Sequence, residues 1–175
     1  GKMKFLLLFL FSSLFSASND NDMVLRAMND ELERTVGRLQ IDNFPKPYFV
    51  AYQVTDSSSC SISASFGDIK EVDDNFSRYG KVDVRIGTYS FDSSNFIEDL
   101  NNRYEPFYSN ISVDDNYDLI RQSLWALSDE AYKNALETYS RKDAYRKKKD
   151  IKENYGDMTQ EKKEYYLYKD DNNSI

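Results

Sequence analysis

The side chains best suited to acid–base chemistry in this sequence are three pairs of adjacent carboxylates: Asp73-Asp74, Asp114-Asp115 and Asp129-Glu130. Two carboxylates can work as acid and base when their environments push their pKa values apart. Asp114-Asp115 stands where a helix N-cap is expected, and Asp129-Glu130 lies on the same helix beside Lys133. We therefore predict structural roles for these carboxylates and no catalytic residue in this chain.

Histidine is missing from the sequence, and Cys60 is the only cysteine. A chain without histidine lacks the usual general base near neutral pH and the commonest protein ligand of zinc. Glycine-rich phosphate loops and acidic calcium-loop motifs are also missing from the sequence. Cys60 falls in an inward-facing row of a predicted strand, which indicates a small core residue rather than a nucleophile. The sequence predicts neither a metal site nor a cofactor.

The longest element predicted from the sequence is a helix over residues 114–142, against which most of the fold is expected to pack. It has an acidic start and a basic end, which suit the helix dipole. One apolar stripe recurs at intervals of three and four residues: Ile120, Leu124, Leu127, Ala131 and Ala135. Larger side chains are expected to widen that stripe: Trp125, Tyr132, Leu136 and Tyr139. We expect Trp125 to be buried between this helix and a sheet.

A shorter helix and a first strand are predicted upstream. Asn19 to Asp22 offer N-caps for a helix that ends near Gln40. Its apolar residues recur with helical spacing: Leu25, Met28, Leu32, Val36 and Leu39. After Pro45 and Pro47, a strand follows with one face formed by Tyr48, Val50, Tyr52 and Val54. The sequence then predicts a turn at residues 56–59.

Further strands complete an antiparallel sheet. One is predicted with an inward row of Cys60, Ile62, Ala64 and Phe66, followed by a turn or bulge at Gly67-Asp68. Residues 69–79 are ambiguous. The clearest strand places Val82, Val84 and Ile86 inward and Lys81, Asp83 and Arg85 outward. Residues 91–113 lack sustained periodicity and are interpreted as a crossover to the long helix. The fold class predicted is α+β, an antiparallel sheet of about three to four strands flanked by the two helices.

The N-terminus has the pattern of an export signal. Lys2 and Lys4 precede a short apolar run, with small residues suited to cleavage near Ala17 or Ser18. We predict a signal peptide over residues 1–18, an α+β domain over 19–149 and a charged, partly disordered tail over 150–175. The predicted location is periplasmic or secreted. An uncleaved interfacial anchor is the alternative for the first segment.

Charge limits the choice of partners. Residues 19–140 hold 11 basic and 22 acidic side chains. This acidic balance disfavours nucleic-acid binding. The basic run between Arg141 and Lys149 is interpreted as a solvated helix end whose cations complement the dipole. Membrane contact is expected only through the signal segment, if it stays uncleaved.

Five segments in order carry a family resemblance: LRAMNDELERTVGRL (25–39), KPYFVAYQVTD (46–56), SASFG (63–67), VDVRIGTYSFDSSNF (82–96) and DNYDLIRQSLWALSDEAYKNALETYSRK (115–142). Together they resemble the N-terminal region of exported members of the TldD/PmbA family of metallopeptidase-related proteins. The resemblance implies helices layered on an antiparallel sheet. The family's zinc site, a His-Glu-x-x-x-His helix, lies further along a longer chain, so the resemblance implies no catalytic or metal residue here.

Three functions are compatible with these observations. The first is an exported, non-catalytic TldD/PmbA-like N-terminal module, truncated or split, that acts in binding or assembly. Its partner would be the missing C-terminal part of the family or another copy of the chain. The second is half of a zinc metallopeptidase completed in trans by another polypeptide. The third is a free-standing periplasmic adaptor that binds a peptide or glycan.

Overall fold

The fold is a four-stranded antiparallel sheet with two helices, and its α+β class confirms the prediction. The computed structural model describes residues 2–9, 22–96, 106–151 and 156–159, with backbone alone for residues 2–9. Its helices are α1 (Met23–Arg38) and α2 (Tyr117–Lys149). Its strands are β1 (Lys2–Phe9), β2 (Phe49–Ser65), β3 (Asp68–Arg85), β4 (Gly87–Thr88), β5 (Phe91–Asp92) and β6 (Phe107–Asn110).

The sheet has the strand order β1-β2-β3-β6, and β4 pairs separately with β5. Strands β2 and β3 pair along their whole lengths, from Phe49 opposite Arg85 to Ser65 opposite Asp68. Strand β1 pairs with residues 49–56 of β2, although it lies within the predicted signal peptide. The predicted cleavage site near Ala17 is outside the described residues, so export stays a prediction.

Both helices begin at side-chain caps and pack their apolar stripes on the sheet. The Asp22 carboxylate accepts hydrogen bonds from Val24 N and Leu25 N at 3.0 and 3.2 Å, which confirms a cap within the predicted 19–22 segment. All five residues of the predicted α2 stripe are buried: Ile120, Leu124, Leu127, Ala131 and Ala135. Tyr48 of the predicted inward rows is only half-buried and precedes β2, whereas the other members are buried: Val50, Tyr52, Val54, Val82, Val84 and Ile86.

Tyr52 joins the sheet to both helices. Its side chain is fully buried, and its hydroxyl lies 2.7 Å from Thr35 Oγ1 on α1 and 2.6 Å from Ser128 Oγ on α2. Burial raises the pKa of Tyr52 to about 12, because the charged phenolate would lose its hydration. A neutral hydroxyl at the centre of the core therefore fixes the positions of the helices on the sheet.

The prediction of a turn at residues 56–59 is wrong. Strand β2 continues through them to Ser65, and Ser57 pairs with Ser77 of β3. The ambiguous residues 69–79 supply the partner strand, so the serine-rich segment satisfies its backbone groups in the ladder instead of turning. The chain reverses at Phe66 and Gly67, beside the turn predicted at Gly67-Asp68.

The predicted inward row of Cys60, Ile62, Ala64 and Phe66 is also wrong, because all four side chains are exposed. Cys60, Ile62 and Ala64 do share one face of the strand, the face that carries Val50, Tyr52 and Val54 nearer its start, whereas Phe66 lies beyond the strand in the turn. The helices cover that face only as far as residue 56, where the core ends. Alternation predicted the common face correctly, but nothing in the described part of the chain buries it.

Two predictions about α2 need correction. Its N-cap is Asn116 rather than Asp114-Asp115, and the helix continues past Lys142 to Lys149. Trp125 is 46% exposed, because it follows Leu124 by about 100° around the helix and points away from the sheet. Tyr132 is the fully buried aromatic residue instead, and its hydroxyl donates to Pro45 O at 2.9 Å.

The remaining segments lie at the edges of the fold. Residues 91–113, predicted as a crossover, contain β5 and the edge strand β6, while residues 97–105 fall outside the described part. Most of the predicted 150–175 tail is also outside it. Residues 156–159 return to the body, where Met158 N donates to Tyr89 O at 3.0 Å. None of the helices among the described residues is long and apolar enough to cross a membrane.

Candidate functional site

The carboxylate pairs singled out in the sequence do not converge. Asp73 and Asp74 are exposed in the distal part of β3, Asp115 pairs with Arg78 at 3.0 Å, and Asp129 pairs with Lys133 at 2.6 Å on α2. The described residues contain no group of three or more Cys, Asp or Glu side chains arranged to hold a metal ion. Asp115 is therefore an ion-pair partner of Arg78 rather than the predicted N-cap, whereas Asp129 pairs with the Lys133 that the sequence places beside it on the helix.

Cys60 lies on the exposed face of β2 directly opposite Asp74. A hydrogen bond to the Asp74 carboxylate raises the pKa of the Cys60 thiol, since that carboxylate favours the protonated sulfur. The thiolate, which is the nucleophilic form, is therefore disfavoured at neutral pH. Cys60 is neither the buried core residue that the alternation predicted nor an activated nucleophile.

A polar cluster around Asp92 was not foreseen in the sequence. Asp92 is fully buried, and its Oδ2 accepts a hydrogen bond from the Tyr48 hydroxyl at 2.5 Å. Lys142 Nζ donates to Asp92 O at 3.0 Å and to Asp157 Oδ2 at 2.6 Å. Burial and the neighbouring Asp92 raise the pKa of Tyr48 far above its ordinary value. These groups satisfy one another, so the cluster fastens residues 156–159 to the body.

A second buried charge lies between the helices. Glu31 is 2% exposed, and its carboxylate accepts hydrogen bonds from Arg34 on α1 and from Arg121 on α2. Trp125 borders a shallow cavity of about 280 Å³ beside this group. Among the described residues, no buried side-chain nitrogen or oxygen lacks a hydrogen-bond partner. In the described part of the helices and of the sheet that they cover, the buried charged groups therefore have hydrogen-bond or ion-pair partners, and none is left aimed at a ligand.

The most distinctive surface is the distal half of the β2–β3 hairpin, residues 57–77, which we name the arm. Its nine residues on β2 extend about 30 Å at about 3.3 Å per residue. Residues 58–64 and 66–76 are all exposed. A two-stranded ribbon of this length is marginally stable alone, so its attachment to the body matters.

The two faces of the arm differ sharply in chemistry. Directly paired residues share a face, and one face carries the pairs Ser58–Phe76, Cys60–Asp74, Ile62–Val72 and Ala64–Ile69. The opposite face carries only polar pairs: Ser57–Ser77, Ser59–Asn75, Ser61–Asp73, Ser63–Glu71 and Ser65–Asp68. We name the first of these the apolar face. It is the uncovered continuation of the sheet face that packs on the helices.

The tip of the arm is a two-residue turn in which Phe66 and Gly67 have φ values of 55° and 88°. Positive φ at both positions is the pattern of a type I′ turn, where Asn-Gly is preferred. A bulky residue with positive φ is a conformational outlier, and the Phe66 side chain is fully exposed. Local strain and an exposed aromatic ring coincide at one residue, and such coincidences are found at functional sites.

Arg78 anchors the arm where it leaves the body. The residue is 4% exposed, and its guanidinium donates to both Asp56 carboxylate oxygens at 2.6 and 3.0 Å. It also donates to Ser112 O at 3.3 Å and pairs with Asp115. A planar guanidinium held from both sides gives a defined direction to the strands. The arm therefore projects from a fixed base.

No protein-family model, curated protein or solved structure matches this chain. The geometry alone is therefore the ground for a functional conclusion. A ribbon that is fixed at its base and has one apolar face can bury that face against another molecule. The ribbon itself does not enclose a space for a reaction.

Proposed function

We propose that this chain is a non-catalytic binding or assembly module that engages a protein partner through the apolar face of the arm. The observation that carries this proposal is the set of large apolar side chains left uncovered on that face and at the tip of the arm: Ile62 (64% exposed), Ile69 (68%), Val72 (57%) and Phe76 (47%) on the face, and Phe66 (105%) at the tip. Contiguous exposed apolar surface of this kind marks interaction sites in soluble proteins.

The composition of the arm favours a protein partner over a membrane. Residues 57–77 contain one lysine against one glutamate and three aspartates, a net charge of −3. An acidic ribbon is repelled by the anionic surface of most membranes. Export and the TldD/PmbA relationship stay predictions beside this proposal, and so does the lack of catalytic activity.

The proposal is tested by photo-crosslinking in the cells that make the protein. A photoreactive amino acid is placed at position 62 on the apolar face or at position 61 on the polar face, and Ser61 and Ile62 are both exposed neighbours. Position 62 should give one discrete protein adduct, and position 61 should give little, because its side chain points the opposite way.

Two matched double variants extend this test. Ile62→Thr with Val72→Thr makes a directly opposed pair on the apolar face polar, and Ser61→Thr with Asp73→Asn alters the adjacent pair on the polar face. Only the first should abolish the adduct formed from a photoreactive residue at position 64. Equal adducts from positions 61 and 62, or adducts with lipid alone, would contradict the proposal. Circular dichroism checks that each variant folds.

A further inference from the structure

The arm and the C-terminal end of α2 lie at opposite ends of the molecule. Helix α2 begins beside the base of the arm, where Asp115 pairs with Arg78. It then crosses the sheet, so that Leu127 lies near Gly80 and Tyr139 near Gly87. Its 33 residues span about 50 Å at about 1.5 Å per residue. The arm of one chain therefore does not reach the far end of its own α2.

The far end of α2 carries an open cleft of about 540 Å³. Its lining consists of Phe91, Asp143, Arg146, Lys147, Asp150 and Ile151. The Arg146 guanidinium lies 5.2 Å from the centre of the Phe91 ring, and Tyr145 nearby is 39% exposed. The cleft thus has two apolar lining residues, Phe91 and Ile151, and the Lys142 and Arg146 cations lie over the Phe91 ring at 4.9 and 5.2 Å. A further aromatic ring can pack there against the Arg146 guanidinium and Ile151.

The charges at the two ends are complementary. Residues 141–151 contain six cations and two carboxylates, a net charge of +4, which becomes +3 when Asp157, the ion-pair partner of Lys142, is included; the arm has −3. The cleft lining itself holds two charges of each sign, so the positive excess comes from the residues around it, including exposed Lys148 and Lys149. Opposite fields at two ends of one molecule favour association of one end with the other.

We propose that the arm of one copy inserts its Phe66 tip into the α2 cleft of a second copy, so that the chain assembles head to tail. This inference rests on the proposed function, since it names the partner of the arm. Face-to-face pairing of two arms is disfavoured because Asp74, in the middle of each apolar face, would be brought against another acidic arm. Head-to-tail contacts are heterologous and build rings or open filaments.

The test is sedimentation of the full chain over a range of concentrations and ionic strengths. Species larger than a dimer should form at about 0.1 M salt and should weaken at least about tenfold at about 1 M, where the Debye length falls from about 10 to about 3 Å. Phe66→Asn, which removes the tip, and Lys147→Glu, which reverses a charge in the cleft, should each weaken association about tenfold or more.

The chain offers a matched control for Lys147→Glu. Lys147 and Lys133 each form a 2.6 Å ion pair with an aspartate four residues earlier on α2, and only Lys147 lines the cleft. Lys133→Glu should therefore leave association unchanged although it alters the net charge equally. An equimolar mixture of the Phe66→Asn and Lys147→Glu chains should form a 1:1 dimer, because each retains the element that the other has lost.

A monomeric wild-type chain at high concentration and low salt would overturn head-to-tail assembly. So would oligomers that respond to Phe66→Asn but not to Lys147→Glu. In either case, position 62 could still give a protein adduct whose mass differs from that of two chains. That result would support the arm as a binding surface and refute only the choice of partner. Loss of that adduct together with a monomeric chain would refute both proposals.

Discussion

Replacing Phe66 by Asn should stabilise the arm locally while it removes the exposed ring. The wild-type residue has φ 55° and is fully exposed. Left-handed backbone costs a bulky L-residue about 1–2 kcal/mol, and Asn is the preferred residue at this position of a type I′ turn. No buried area is lost, so the net gain is expected to be about 1 kcal/mol. Amides of the arm should then exchange with solvent about fivefold more slowly.

Hydrogen exchange of residues 57–77, followed by mass spectrometry at low protein concentration and about 1 M salt, where the proposed assembly no longer shields the arm, measures this gain. The midpoint of global unfolding should not move, because the arm lies outside the core. Phe66→Ala is the control, since it removes the ring but, unlike Asn, has no side-chain amide to stabilise the left-handed backbone by local hydrogen bonds, and it should give little or no protection. Equal protection in both variants would show that the ring rather than the backbone conformation was destabilising, and faster exchange in Phe66→Asn would refute the turn geometry.

Two further predictions concern the core. Leu124→Ala should lower the free energy of unfolding by about 2–5 kcal/mol, because Leu124 is fully buried. Trp125→Ala should lower it clearly less, because Trp125 is 46% exposed. Urea denaturation compares the two variants, and a larger loss for Trp125→Ala would contradict the burial described. The folded pKa of Tyr52, raised to about 12, lies above its ordinary value of 10.0, so its stabilising effect is complete below about pH 10 and is lost as the pH rises through about 12. The stability of the wild type should therefore fall over that window more steeply than that of Tyr52→Phe.

Elements with a packed stripe were predicted well from the sequence. The three- and four-residue spacing from Ile120 to Ala135 identified the buried side of α2, and alternation identified Val82, Val84 and Ile86 as inward. Both patterns follow from backbone periodicity, which each segment carries by itself. The prediction for Trp125 was wrong because it took residue size as a sign of burial. The angular position of a residue on the helix decides whether its side chain is buried.

The candidate site was only partly predicted from the sequence. A strand with an inward row from Cys60 to Phe66 and a turn at Gly67-Asp68 were predicted, but residues 69–79 were ambiguous and a turn was predicted at residues 56–59. Pairing with residues 69–77 of β3 settled this question, because a ladder satisfies the backbone of both strands at once. The cluster joining Asp92, Lys142 and Asp157 was invisible because its members are 15 to 65 residues apart.

The sequence by itself determined which side chains share a face, since that depends only on the local repeat of helix or strand. Tertiary structure alone decided which faces are covered. One face of β2 carries apolar residues on either side of Asp56 and Ser58, from Val50 to Ala64; those up to Val54 are buried, and the residues from Ser58 onward are exposed. Burial depends on where other segments end, and a local pattern does not contain that information. The same alternation therefore produces a hydrophobic core in one half of the hairpin and an exposed apolar face in the other.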